Sequence, residues 1–171
     1  MNNHYGVHLV NWLEELAENW FRMKGYITQL NVRIPSFGRR ELDLLAFNDD
    51  EFWIVDLQTF VGEKGSIKEE VESLKQRFDV YEKGLRNTSP YRNLIKNRSL
   101  KRMFIAEGVS DEFFKEVQKR SMNIECIDME DFLRNILQEV KKYSDNQKWP
   151  FSEADLSRLL YELLSYGFVN L

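Results

Sequence analysis

The chain has a single cysteine, Cys126, so neither an intramolecular disulfide nor a cysteine-based zinc site is possible. That usage fits a reducing compartment and gives the cytoplasm as the expected location. No apolar run approaches the roughly 20 residues a membrane span needs, and no signal-peptide pattern opens the sequence, so no membrane partner is expected. Internal repeats and low-complexity segments are missing too. The net charge of −4 argues against a protein that coats nucleic acid by bulk attraction.

What is present is the balance of a globular protein. Hydrophobic residues make up 43% of the 171 and charged residues 30%, enough apolar material for one α/β domain with its own core. Residues 8–23 read as an amphipathic helix (Leu9, Leu13, Leu16, Trp20) stopped at Gly25. Tyr26–Ile34, Arg40–Phe47 and Glu51–Gln58 read as strands, the last two joined by a tight turn at Asn48-Asp49-Asp50. Ser66-Ile67-Lys68-Glu69 is a capping box, and Ile67, Val71, Leu74, Phe78 and Tyr81 form an apolar stripe that ends at Gly84. Residues 85–100 read as a polar surface loop broken by Pro90. Strands at 101–106 and 123–127 then alternate with helices at 110–120, 129–142 and 150–166. This order predicts a single domain over 1–171: a mixed central β-sheet flanked by helices (core 8–128), extended by C-terminal helices (129–171).

The chemistry concentrates on the second and third strands. A two-residue turn at Asp49-Asp50 sets Asp43 opposite Asp56 and Glu41 opposite Gln58, all on one face. Two carboxylates that close repel unless a cation or a proton is supplied. The opposite face carries Leu42, Leu44, Ala46, Trp53, Val55 and Leu57. The acid face is itself apolar toward the turn (Leu45, Phe47, Phe52, Ile54), the pattern of strands covered on both sides. The plain alternative, an amphipathic hairpin whose polar end reaches water, fits the same pattern.

Gly38-Arg39-Arg40-Glu41-Leu42-Asp43 followed by Trp53-Ile54-Val55-Asp56-Leu57-Gln58-Thr59 resembles the core of the PD-(D/E)XK (restriction-endonuclease-like) nuclease superfamily. Leu13-Glu14, with Gly25-Tyr26 eleven and twelve residues after Glu14, is similar to the opening helix of its Mrr-like and resolvase-like members. The element order over 8–106 matches the family's α-β-β-β-α-β core. The resemblance implies a Mg²⁺-dependent (or Mn²⁺-dependent) hydrolysis of phosphodiester bonds in DNA. Asp43, Asp56, the main-chain carbonyl of Leu57, and Glu14 would hold the metal. Glu41 would be an outer neighbour of the metal or of Gln58. Gln58 stands where the family has lysine, as it does in some restriction endonucleases of the superfamily. It can hydrogen-bond but brings no charge. Lys64, Lys75, Arg39 and Arg40 are candidates for a compensating cation. The competing expectation is a catalytically impaired nuclease-fold protein that binds nucleic acid or serves assembly.

From Gly84 to Arg102 there are six basic residues and no acidic one. Within it Arg86, Arg92, Lys96 and Arg98 are candidate phosphate-backbone contacts; a solvated loop is the plain reading. Tyr81 belongs to the apolar stripe and is expected to be a core residue. The closing helix, with Phe151, Leu156, Leu159, Leu160, Leu163 and Leu164, offers a face for a homodimer.

Overall fold

A computed structural model of the protein describes residues 5–34, 41–58, 66–120 and 122–144. The chain divides into two compact units, Met1–Met129 and Glu130–Leu171. The first is an α/β unit. Helix α1 (Tyr5–Met23) precedes strands β1 (Ile27–Arg33), β2 (Glu41–Phe47) and β3 (Glu51–Gln58). Helices α2 (Ile67–Asn87) and α3 (Ser89–Ile95) lead to β4 (Ser99–Ala106), then α4 (Asp111–Lys119) and β5 (Glu125–Asp128). The five strands form one mixed sheet in the order β1-β2-β3-β4-β5: the first three are antiparallel, and β3-β4 and β4-β5 are parallel. Helix α5 (Met129–Ser144), in the second unit from Glu130 on, carries the buried Phe132, Leu133 and Ile136 on one face. The helix expected at 150–166, and its dimer face, lie outside the described residues.

The β2–β3 hairpin has the register its turn dictates. Phe47 pairs with Phe52, and the ladder runs back to Leu44 opposite Val55. Asn48 closes the two-residue turn: its N–H donates to the Glu51 carbonyl at 3.1 Å, and its Oδ1 accepts from Asp50 and Glu51 N–H at 2.9 and 2.8 Å. An Asn side chain is suited to this because it mimics a backbone turn.

Alternation then sorts the strands into two buried faces. Leu45, Phe52, Ile54 and Phe104 join Val71, Leu74, Phe78, Tyr81 and Leu85 of α2, with Phe113 and Val117 of α4, in one core cluster. On the other face Trp53 meets Phe21 of α1, ring centroids 5.9 Å apart. Leu44, Ala46 and Val55 are fully buried there, whereas Leu42, with Val32 and Ile34, joins the α2 cluster. Covering on both faces is what the apolar runs predict.

Two expectations for the region after α2 are corrected. Gly84 does not end the helix; it is buried inside it, and Leu85 keeps the apolar stripe going one turn further before α2 ends at Asn87. Residues 85–100 are not a loop. Pro90 falls in the first turn of α3, where its missing N–H costs nothing, and so starts a helix rather than breaking one. The capping box at Ser66 forms as expected, with Ser66 N–H donating to Glu69 at 2.9 Å and Glu69 N–H to Ser66 Oγ at 3.4 Å. Among the described residues, no helix is long and apolar enough to cross a membrane.

Candidate functional site

Asp43 enters from the start of β2 and Asp56 from the end of β3, one step beyond the last ladder pair, Leu44–Val55. Instead of a further backbone pair, the Asp43 carboxylate itself accepts the Leu57 N–H at 2.7 Å. The two acids open onto a cleft of about 540 Å³ lined by Glu41, Asp43, Asp56, Leu57, Gln58, Ser73, Arg77 and Tyr81. Four of the expected site residues, Asp43, Asp56, Leu57 and Gln58, therefore meet in one place. The cleft sits at the carboxyl end of β3, where α2 passes with Ser73, Arg77 and Tyr81 in one row at i, i+4 spacing.

Asp56 is 3% exposed. Tyr81 donates its hydroxyl to Oδ1 at 3.4 Å, and Arg77 Nη1 lies 3.1 Å from Oδ2. That oxygen has the guanidinium beside it but, among the described residues, no well-directed hydrogen bond. Burial pushes the Asp56 carboxyl above its ordinary range, against the pull of Arg77 and Tyr81 in the other direction. Asp43 is pushed up to about 7, first by burial and then by the Asp56 charge, while the Leu57 hydrogen bond works against both. Tyr81 is thus a core residue, as expected, and also a partner of the site; burial and the two aspartates raise its hydroxyl far above the ordinary value.

Glu14 stands apart from this cleft. It is 5% exposed on α1 and accepts from the Asn31 side chain at 3.2 Å. Burial raises its carboxyl, and its charge reaches Asp43. Glu41 pairs across the first two strands with Arg33 at 2.6 Å. Among the described residues no three His, Cys, Asp or Glu side chains converge as a ready-made metal cage.

Among the described residues, the cation in the cleft is Arg77, which the candidates drawn from sequence did not include. Lys75 is instead tied to Asp79 at 2.7 Å, and Arg39, Arg40 and Lys64 lie outside the described residues. Arg77 also reaches Gln58, whose side-chain oxygen accepts from both terminal nitrogens in the amide orientation that satisfies the two groups.

The basic residues of 84–102 gather at the other end of the strands. Arg98 donates to the Asn48 carbonyl at the hairpin turn and to the Leu94 carbonyl. Arg92 donates to the carbonyls of Arg86 and Asn87, and Arg86 pairs with Glu82. Lys96 is exposed. From the turn to Asp56 is five strand residues, about 17 Å.

No family model matches the chain, and no curated protein matches it either.

Proposed function

We propose that the protein is a cytoplasmic, Mg²⁺-dependent nuclease-like enzyme that hydrolyses phosphodiester bonds in DNA at the Asp43–Asp56 cleft. The observation that carries this reading is a buried Asp56 and a half-buried Asp43 set side by side in an open cleft, both pushed toward the neutral form. Burying two carboxylates together is costly unless a cation relieves them. Two carboxylates and the Leu57 carbonyl suit a hard cation that keeps several waters, and the Asp56 oxygen without a directed hydrogen bond is a fitting ligand. Mn²⁺ fits the same donors. Glu14, close enough for Asp43 to feel its charge, is the remaining acid. Bound there, the ion would supply Lewis acidity toward the phosphate and a water of lowered pKa. Gln58 contributes hydrogen bonding without charge. Arg86, Arg92, Lys96 and Arg98 are assigned to phosphate contacts remote from the chemistry, and the helix expected over 150–166 to a homodimer.

A second reading has its own observation. The Arg77–Asp56 ion pair already gives the acids an internal counter-charge. That favours a nuclease-fold protein that binds nucleic acid or serves assembly without cutting.

The test is cleavage of plasmid and single-stranded DNA with Mg²⁺ or Mn²⁺, comparing wild type with Asp56→Ala. Metal-dependent cleavage by wild type that is lost in the variant is expected. Cleavage that survives Asp56→Ala sinks the site, and DNA retardation without any cutting favours the second reading.

A further inference from the structure

The charge that is absent at position 58 returns on the neighbouring helix. Two cations of α2 are matched along the helix itself: Lys75 to Asp79 and Arg86 to Glu82. Arg77 has Ser73 and Tyr81 at those spacings and reaches off the helix to Asp56 instead. Its side chain is 22% exposed, and among the described residues lining the cleft it is the one cation, against Glu41, Asp43 and Asp56. Its Nε is buried with no hydrogen-bond partner among the described residues, so the guanidinium is not fully satisfied by them. A cleft with that surplus of carboxylates repels a phosphodiester unless something in it attracts one.

We propose that Arg77 is the phosphate-binding group of this cleft and that Gln58 is its positioning residue, holding the guanidinium by its side-chain oxygen. The proposal rests on the nuclease reading for the identity of the substrate. A guanidinium fits a phosphate through two parallel N–H donors, which an ammonium cannot match. Gln58 suits its place because it offers that guanidinium an acceptor without adding charge. A lysine at 58 would set a second cation against Arg77, so the two positions hold one cation between them. Cation on the strand with a neutral partner on the helix, or the reverse, are the two arrangements that satisfy both.

The experiment uses the full chain with Arg77→Gln, Arg77→Lys, Gln58→Ala, Gln58→Lys and the double variants Gln58→Ala/Arg77→Gln and Gln58→Lys/Arg77→Gln. Three quantities are read: thermal unfolding, Mg²⁺-dependent cleavage of plasmid DNA, and affinity for a nuclease-resistant phosphorothioate oligonucleotide with Mg²⁺ present. Arg77→Gln is expected to lower cleavage about 100-fold and to weaken oligonucleotide binding. Arg77→Lys retains part of both. Gln58→Ala lowers kcat in the wild-type background and has no further effect once Arg77 is Gln, because its role runs through Arg77. Gln58→Lys/Arg77→Gln is expected to cleave about tenfold faster than Arg77→Gln alone, and Gln58→Lys alone to gain nothing.

Wild-type affinity and cleavage in Arg77→Gln overturn the proposal. So do Gln58 and Arg77 effects that multiply independently, which would mark Gln58 as acting by itself. If Arg77→Gln unfolds, Arg77→Lys and Gln58→Ala decide by the same readouts. Binding that depends on Arg77 without any cleavage removes the nuclease reading and leaves the phosphate site standing. Oligonucleotide binding that is absent in wild type removes both.

Discussion

Asp43 accepts the backbone N–H of Leu57 at 2.7 Å, a side-chain bond made where the β2–β3 ladder stops. Such a bond favours the charged carboxylate, yet Asp43 is pushed up to about 7, because burial and the neighbouring Asp56 outweigh it. The site therefore stores electrostatic cost that a proton or a cation can relieve. That cost is the source of the first two predictions.

Stability should fall as pH rises. In the unfolded chain Asp43 titrates near 3.9, so between about 4 and 7 the folded state holds a proton that the unfolded state has lost. The folded state binds more protons across that window, and unfolding becomes easier with each step up in pH until the window closes. For Asp43 alone the loss amounts to at most about 4 kcal/mol, and Asp56, raised in the same direction, adds to it. Melting temperature measured in EDTA from pH 5 to pH 8 should drop. Asp43→Asn, which has no proton to lose, should flatten the curve. A curve that rises over this range contradicts the assigned burial.

Above pH 7 a divalent cation should do what the proton did below it. Adding about 10 mM Mg²⁺ or Mn²⁺ at pH 8 is expected to raise the wild-type melting temperature and leave Asp43→Asn/Asp56→Asn unmoved. For a dissociation constant near 1 mM the gain is about 1.4 kcal/mol. Equal shifts in both proteins would mean that the ion binds elsewhere.

The hairpin was legible because its causes are local. Asn48, Asp49 and Asp50 dictate the turn, and alternation from that turn places Asp43 and Asp56 on one face. The end of α2 was not legible: Gly84 carries a stop signal, but burial of Leu85 in the core cluster overrides it. Pro90 has two meanings in sequence, breaker and first-turn residue, and the α2–α3 packing decides between them. Arg77 was hidden because a helix residue that reaches a strand acid is a tertiary contact. Its one sequence signal is the lack of a carboxylate at four residues' spacing, where Ser73 and Tyr81 stand. The positive charge of 84–102 was visible, but its place at the turn end of the strands depends on Arg98 reaching the Asn48 carbonyl fifty residues away.

The reliance of the hairpin turn on the Asn48 side chain can be measured. Asn48→Ala removes the acceptor for the N–H groups of Asp50 and Glu51 at the turn. A loss of about 1–2 kcal/mol is expected from two partly exposed hydrogen bonds. Asn48→Asp keeps an acceptor and should lose less. Chemical denaturation of both variants separates the two, and equal losses would show that the turn does not rely on this oxygen.

Asn31 ties the edge strand to Glu14 in a backbone conformation few residues tolerate. It has φ +52°, and the β1–β2 ladder skips it while keeping its register on either side, Leu30 with Leu44 and Val32 with Leu42. Asparagine and glycine enter this left-handed region readily, whereas a β-branched residue there is strained. Asn31→Gly keeps the backbone and loses only the hydrogen bond to Glu14, at a cost of about 1 kcal/mol. Asn31→Val loses the same bond and adds roughly 1–3 kcal/mol of strain. In both, the Glu14 carboxyl loses the one hydrogen bond that holds its pKa down against burial, so it should move further up. Thermal unfolding should therefore rank wild type above Asn31→Gly and Asn31→Gly above Asn31→Val. If Asn31→Val is as stable as Asn31→Gly, the left-handed turn of the strand is not what presents Asn31 to Glu14.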